Sequence, residues 1–312
     1  MSAPVRIGTC AWTDPGLLEL WYPEQAKTPE ARLRYYAEHF DVVEVNSSYY
    51  AIPDRATAEK WADRTPGGFT FHVKAFGMMT GHRVTPEQLP ADLRPLVSDV
   101  TTRGNVEPSE ELRRRVFTRF RHALEPLAER DRLGLVLFQY GPSIEEGEPA
   151  RELILDAAER MAPYRLAVEF RHRSWVRDPE TTERTLAFLR QHGLTHVAVD
   201  APRADAPSAM PMVADRTSDT VYVRFHGRNA GSWSRVGGPA SERFDWYYEP
   251  AELEEWIEPL RALSQGAVRS YAMFNTNSND QGPVNAGLLR GVLEGAGVGV
   301  SAEPEPLQDT LF

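Results

Sequence analysis

Eight short runs rich in β-branched and aromatic residues recur along this 312-residue chain, each separated from the next by a longer connecting stretch, helix-like in most cases. That alternation is the signature of a parallel α/β sheet, and it constrains the fold more than any other feature. The runs cover residues 5–12, 42–50, 70–76, 133–140, 165–172, 195–202, 220–227 and 269–276. Helices are predicted over 28–39, 54–64, 109–130, 151–161, 179–192, 250–265 and 284–294. The sixth connection, 203–218, holds Pro207 and Pro211 and predicts a short or irregular segment instead. No glycine-rich fingerprint follows the first run, so a dinucleotide-binding open sheet is disfavoured, and eight units favour closure. The expected fold is therefore α/β, a TIM-type (β/α)8 barrel of eight parallel strands surrounded by helices, in one domain over 1–294. Residues 77–108 form an unusually long third connection, read as a lid. Residues 295–312 lack an apolar period and read as a flexible tail.

The bulk properties narrow the setting. No apolar run approaches the roughly 20 residues of a bilayer span, and the short segment ahead of Val5 leaves no room for a secretory signal. A cytoplasmic protein without a membrane partner is expected. Cys10 is the sole cysteine, which permits neither an internal disulfide nor a cysteine metal cluster and agrees with a reducing compartment. A net charge of −10 opposes indiscriminate phosphate binding over the whole surface. The basic run Arg113, Arg114, Arg115, Arg119 and Arg121 reads as a solvated helical face.

Side chains two apart on a strand share a face. Polar pairs obey that spacing near the ends of five runs: Glu44 with Asn46, His72 with Lys74, Glu169 with Arg171, Arg224 with His226, and Asn275 with Asn277. Trp12, Gln139 and Asp200 hold similar terminal places on the other three. The intervening Val45, Val73, Phe170, Phe225 and Thr276 are mostly apolar, as helix-covered outer faces require. The polar residues are therefore placed inside the barrel, at the face where barrel enzymes do their chemistry. A buried network that merely neutralises itself would explain some of them, but packed aliphatic side chains would avoid the desolvation of several ions. Glu44, Lys74, Glu169, Asp200 and His226 are candidate catalytic groups. Trp12, Asn46, His72, Gln139, Arg171, Trp175, Arg224, Asn275 and Asn277 are candidate ligand contacts. The mixture suits an anionic or polyhydroxylated ligand, a phosphate or carboxylate best. The glycines of the 227–238 loop would allow close backbone approach to a phosphate. Trp61, Trp246 and Trp256 read as packing residues, and His82 lies in the lid.

These residues also carry a resemblance. Residues 8–12, the stretch Phe40-Asp41-Val42-Val43-Glu44-Val45-Asn46 with Tyr49, Tyr50 and Pro53, residues 61–74, Val168-Glu169-Phe170-Arg171 with Trp175, Arg224-Phe225-His226-Gly227-Arg228, and Phe274-Asn275 with Asn285-Ala286 resemble the YecE-like family, domain of unknown function 72 (DUF72). The family pattern has Ser-Gly where this chain has Cys10-Ala11. The resemblance implies a TIM barrel and adds Tyr49 to the ligand contacts; it implies no settled reaction.

The last residues, Gln308-Asp309-Thr310-Leu311-Phe312, resemble a bacterial sliding-clamp-binding peptide, with Asp309 where leucine is commoner. Gln308, Leu311 and Phe312 would make the contacts, two of them as apolar anchors. A clamp partner tilts the barrel toward DNA, as a phosphoester hydrolase of repair using Glu44, Glu169, Asp200, His72 and His226 as acid, base or metal groups. Lys74, Arg171 and Arg224 would crowd a multi-metal site with positive charge, so a divalent metal is not favoured as cofactor. The alternatives are an isomerase, aldolase or hydrolase of a sugar phosphate or other small anionic metabolite, and a non-catalytic ligand-binding barrel. For the aldolase, Lys74 would form a Schiff base, against the plainer expectation of an ion pair with Glu44 or Glu169.

Overall fold

The computed structural model describes residues 2–233, 240–302 and 304. Eight strands form one closed parallel barrel: β1 (Val5–Thr9), β2 (Val42–Val45), β3 (Thr70–Lys74), β4 (Leu133–Tyr140), β5 (Leu166–Phe170), β6 (Thr195–Asp200), β7 (Thr220–Phe225) and β8 (Arg269–Phe274). Each strand pairs with its neighbours in sequence, and β1 closes on β8 from Val5 opposite Ser270 to Thr9 opposite Phe274. This is the TIM-type barrel that the alternation of strand and helix signals predicts.

Helices wrap the outside for the usual reason, a stripe of apolar side chains at helical spacing. In Glu110–Glu129 the buried residues Leu112, Val116, Phe120, Ala123, Leu124 and Leu127 form that stripe. Its start is set by Ser109, whose hydroxyl accepts from the Leu112 N–H at 3.2 Å, with Glu110 and Glu111 in the first turn favoured by the helix dipole. Among the described residues no helix is long and apolar enough to cross a membrane.

Several boundaries depart from the sequence expectation. β2 ends at Val45 because Asn46 turns into the right-handed helical region and Ser47–Tyr49 form a 3-10 turn. The helix predicted over 250–265 is two, Pro250–Glu254 and Ile257–Ser264, interrupted where the Trp256 indole packs on Phe225. The connection from β6 to β7 contains no helix among the described residues. Residues 77–108 fold into three 3-10 turns and a small antiparallel ribbon, with Met78, Met79, Val84, Leu89, Leu93 and Val106 joining the main core. The stretch read as tail is ordered at its start. Val298 is buried, the Val5 N–H donates to the Gly299 carbonyl at 2.9 Å, and the Ser301 N–H donates to the Val5 carbonyl at 3.0 Å.

Candidate active site

The inward face is set by register. Glu44 lies opposite His72, and Gln139 opposite Glu169, so these pairs point into the barrel together. Arg224 lies opposite Val199 on β6, which puts the next residue, Asp200, on the outer face beside Phe225.

At the centre sits a fully buried ionic cluster. The Arg224 guanidinium donates to Glu44 Oε1 at 2.6 Å and to Glu169 Oε2 at 2.5 Å. The Tyr222 hydroxyl donates to the other Glu44 oxygen at 2.6 Å. Glu169 Oε1 accepts from Gln139 Nε2 at 2.8 Å, His226 Nε2 at 2.9 Å and Arg171 at 3.3 Å. Burial pushes the Glu169 carboxyl up, but Arg224, His226 and Arg171 outweigh it and hold it well below the usual carboxylate range. Burial lowers His226 to about 4 against the pull of Glu169, so its ring is neutral at pH 7, with Nε2 as the donor.

Above this floor lies a cavity of about 500 Å³ at the C-terminal mouth of the barrel. Of the residues proposed from sequence, Trp12, Asn46, Tyr49, Lys74, Gln139, Arg171, Asn275 and Asn277 line it. Glu44, Glu169, Arg224 and His226 do not: they form the floor beneath, where both carboxylates and the His226 ring are engaged by one another and by neighbours and the Arg224 Nε is buried without a partner among the described residues. His72 lies deeper still. Its Nδ1 accepts from the Leu135 N–H at 2.9 Å, and its ring is held edge-on by Tyr222 and Tyr271. Gly134 makes room for that ring, since a Cβ there would lie 2.5 Å from it. Asp200 is excluded from the site altogether. It accepts from Tyr248 at 2.6 Å, Trp256 at 2.8 Å and Arg228 at 2.6 Å on the outer side. Trp175 is a core residue, stacked on Phe170 at 4.1 Å with its indole N–H donated to the Ile144 carbonyl. The glycine loop offers no free amide at its start, because the Gly227 N–H donates to Tyr248; residues 234–239 lie outside the described residues, as do Gln308, Leu311 and Phe312.

Lys74 departs from the ion pair expected of it. Glu44 and Glu169 are committed to Arg224, and the Lys74 ammonium instead donates to Gln139 Oε1 at 2.9 Å and sits 4.8 Å from the centre of the Tyr49 ring. Burial, with Arg224 repelling it, lowers Lys74 to about 8 despite the attraction of the two glutamates. Two further groups share the cavity. His82, brought in by the 77–108 segment, is lowered to about 4 by burial and by Lys74 and Arg171; its Nδ1 meets the Thr80 hydroxyl at 2.8 Å. Asp14 was not singled out from sequence. It precedes the short helix Pro15–Leu20 without capping it by its side chain, lines the cavity, and is raised by burial to about 6. Its place just after Trp12 at a strand end was the available signal. Among the described residues, no three His, Cys, Asp or Glu side chains converge as a metal would require.

Fold and cavity together define a TIM-barrel protein with a site of small-molecule size at the C-terminal mouth of its strands. The chain belongs to the family described as protein of unknown function DUF72, whose model matches residues 6–309. It is 29% identical over 295 residues to the UPF0759 protein YunF of Bacillus subtilis (strain 168), an alignment covering 93% of this chain and 95% of that one. A DUF72 family protein from Thermotoga maritima MSB8 is similar in structure, with a TM-score of 0.73 and 30% identity over 93% of this chain and 99% of that one. Another, from Enterococcus faecalis V583, has a TM-score of 0.77 and 22% identity over 97% of this chain and 99% of that one.

Proposed function

We propose that this protein is an enzyme acting on a small polar carbonyl compound, with the Lys74 amine as nucleophile. The observation that carries the reading is the position of Lys74: its nitrogen faces the cavity with no carboxylate paired to it among the described residues, above a floor whose two glutamates are already paired with Arg224. With Lys74 lowered to about 8, roughly a tenth of it is neutral at pH 7, against a few parts in ten thousand for an ordinary lysine. The free pair on nitrogen attacks the carbonyl carbon. The resulting carbinolamine loses its oxygen as water, leaving an imine that can draw electrons from an adjacent bond. Asp14, raised to about 6, is the cavity's exchangeable carboxyl for the accompanying proton transfers. Arg171 and the cavity amides hold the polar remainder of the compound. The phosphoester reading is less well supported, because Glu44 and Glu169 cannot reach a substrate through the layer above them and Asp200 faces away.

The test is reductive trapping. The chain contains three lysines, Lys27, Lys60 and Lys74, and the first two are exposed. Incubation with 2-oxo acids, hydroxyaldehydes and ketose phosphates plus cyanoborohydride should place an adduct selectively on Lys74, and Lys74→Met should abolish it. Labelling of Lys74 no faster than of Lys27 across the panel would overturn the reading. The terminal peptide carries a separate proposal, docking on a sliding clamp. Equal clamp binding by the full chain and by one ending at Leu307 would overturn that.

A further inference from the structure

The orientation of the amides around Asn275 is dictated from the floor. An arginine can only donate, so the atom of Asn275 that Arg224 reaches at 3.2 Å is Oδ1. Asn275 therefore turns Nδ2 toward His226 Nδ1, 3.2 Å away, in agreement with the tautomer that lets His226 Nε2 donate to Glu169. Asn46 meets the same Asn275 oxygen at 3.0 Å, which it can do only with its own Nδ2. The Asn46 Oδ1 is thereby fixed as an acceptor, and it is buried and accepts nothing among the described residues. Asn277 lines the same cavity with its Oδ1 in the same condition. Asp14 brings a carboxyl that caps no helix, and Trp12 and Tyr49 supply aromatic surface.

We infer that the compound bound here is polyhydroxylated, a sugar-like carbonyl compound, and that Asn46 determines specificity by accepting from one of its hydroxyls. Buried acceptors without donors are costly, and a ligand O–H relieves that cost whereas a ligand oxygen that can only accept does not. A simple oxo acid would bring carboxylate oxygens against Asn46 Oδ1 and Asp14. Aromatic walls suit the apolar faces of a sugar carbon chain. The inference rests on the Lys74 reading for the carbonyl and adds the hydroxyls to it.

Matched pairs test it: dihydroxyacetone against acetone, and glycolaldehyde against acetaldehyde, trapped with cyanoborohydride and quantified by peptide mass. The exposed Lys27 and Lys60 correct for the intrinsic reactivity of each carbonyl. The hydroxylated member should be preferred at Lys74 at least tenfold beyond its preference at Lys27, and Asn46→Ala should reduce that excess to near one while Lys74 still reacts with acetone. An equal preference at both lysines in the natural protein, or one unchanged in Asn46→Ala, would overturn the inference. If no carbonyl reacts selectively at Lys74, the amine reading fails by itself. Sorbitol, which has no carbonyl, then decides the hydroxyl part through tryptophan fluorescence. Saturable binding weakened tenfold by Asn46→Ala upholds it, and absence of saturable binding refutes it.

Discussion

The floor of the cavity and its wall are one residue layer apart, yet their charges are handled in opposite ways. On the floor, Arg224 is shared between Glu44 and Glu169, and Tyr222, Gln139 and His226 supply further donors to the two carboxylates. On the wall, Lys74 has an amide and an aromatic face for company, and the Asp14 carboxyl is governed by burial. Burial acts on both layers. Below, mutual pairing keeps Glu169 ionised; above, burial dominates and moves Lys74 and Asp14 toward neutrality. A network of paired charges positions, and groups poised near pH 7 can exchange protons with a substrate. The comparison teaches that the most charged residues of this barrel are its scaffold.

Removing the shared cation should do the greatest damage. Arg224→Met leaves the buried Glu44 without a counter-ion among the described residues and Glu169 with Arg171 alone, at 3.3 Å, and breaking such a buried arrangement costs about 3–5 kcal/mol. Urea unfolding should show a correspondingly lower midpoint, with the slope retained. A variant as stable as the natural protein would show that the floor is not held by ion pairing, and the contrast would collapse.

Lys74→Met should be nearly the inverse. It removes one hydrogen bond to Gln139 and the contact with Tyr49, so stability should change by no more than about 1 kcal/mol while trapping at this position is lost. A loss comparable with that of Arg224→Met would assign Lys74 to the scaffold as well.

The barrel was legible because its strands are apolar on their outer faces and polar at their ends, and the period of two identified most inward residues. Depth was not legible. Residues two apart on a strand differ by about 6.6 Å along it. The first members of three pairs, Glu44, His72 and Glu169, therefore lie below the cavity, whereas Asn46, Lys74 and Arg171 line it. Strand stagger shifts the others, so that Arg224 and His226 are both beneath while Asn275 and Asn277 both face the opening. Asp200 was misplaced for another reason: its direction depends on its being opposite Phe225, a register that no single strand encodes. Asp14 belongs to no strand, and its position depends on the start of the helix Pro15–Leu20, which packs so closely that a Cβ on Gly16 would lie 2.4 Å from the Asn279 backbone.

Asp14 also gives the finest test of the contrast, because floor and wall carboxylates imply opposite slopes of stability with pH. Glu169 is lowered in the fold, so its stabilisation is present above the ordinary glutamate range and is lost only as pH falls through its depressed value. Asp14 is raised from 3.8 to about 6, so the folded state binds its proton more tightly than the unfolded chain does. Its contribution is complete below about 4 and is lost as pH rises through about 6; above that, the ionised carboxylate is a cost. Asp14→Asn removes this titration while keeping the shape. The variant should match the natural protein near pH 4 and exceed it at pH 8 by about 1–2 kcal/mol, a range that discounts the full shift for the solvent reaching the cavity. The histidines that titrate in the same window are common to both proteins, so the difference between the two urea curves isolates Asp14. A difference that does not grow with pH would mean that the Asp14 carboxylate has a partner or enough water to remain charged, and the wall would then hold one poised group, Lys74, instead of two.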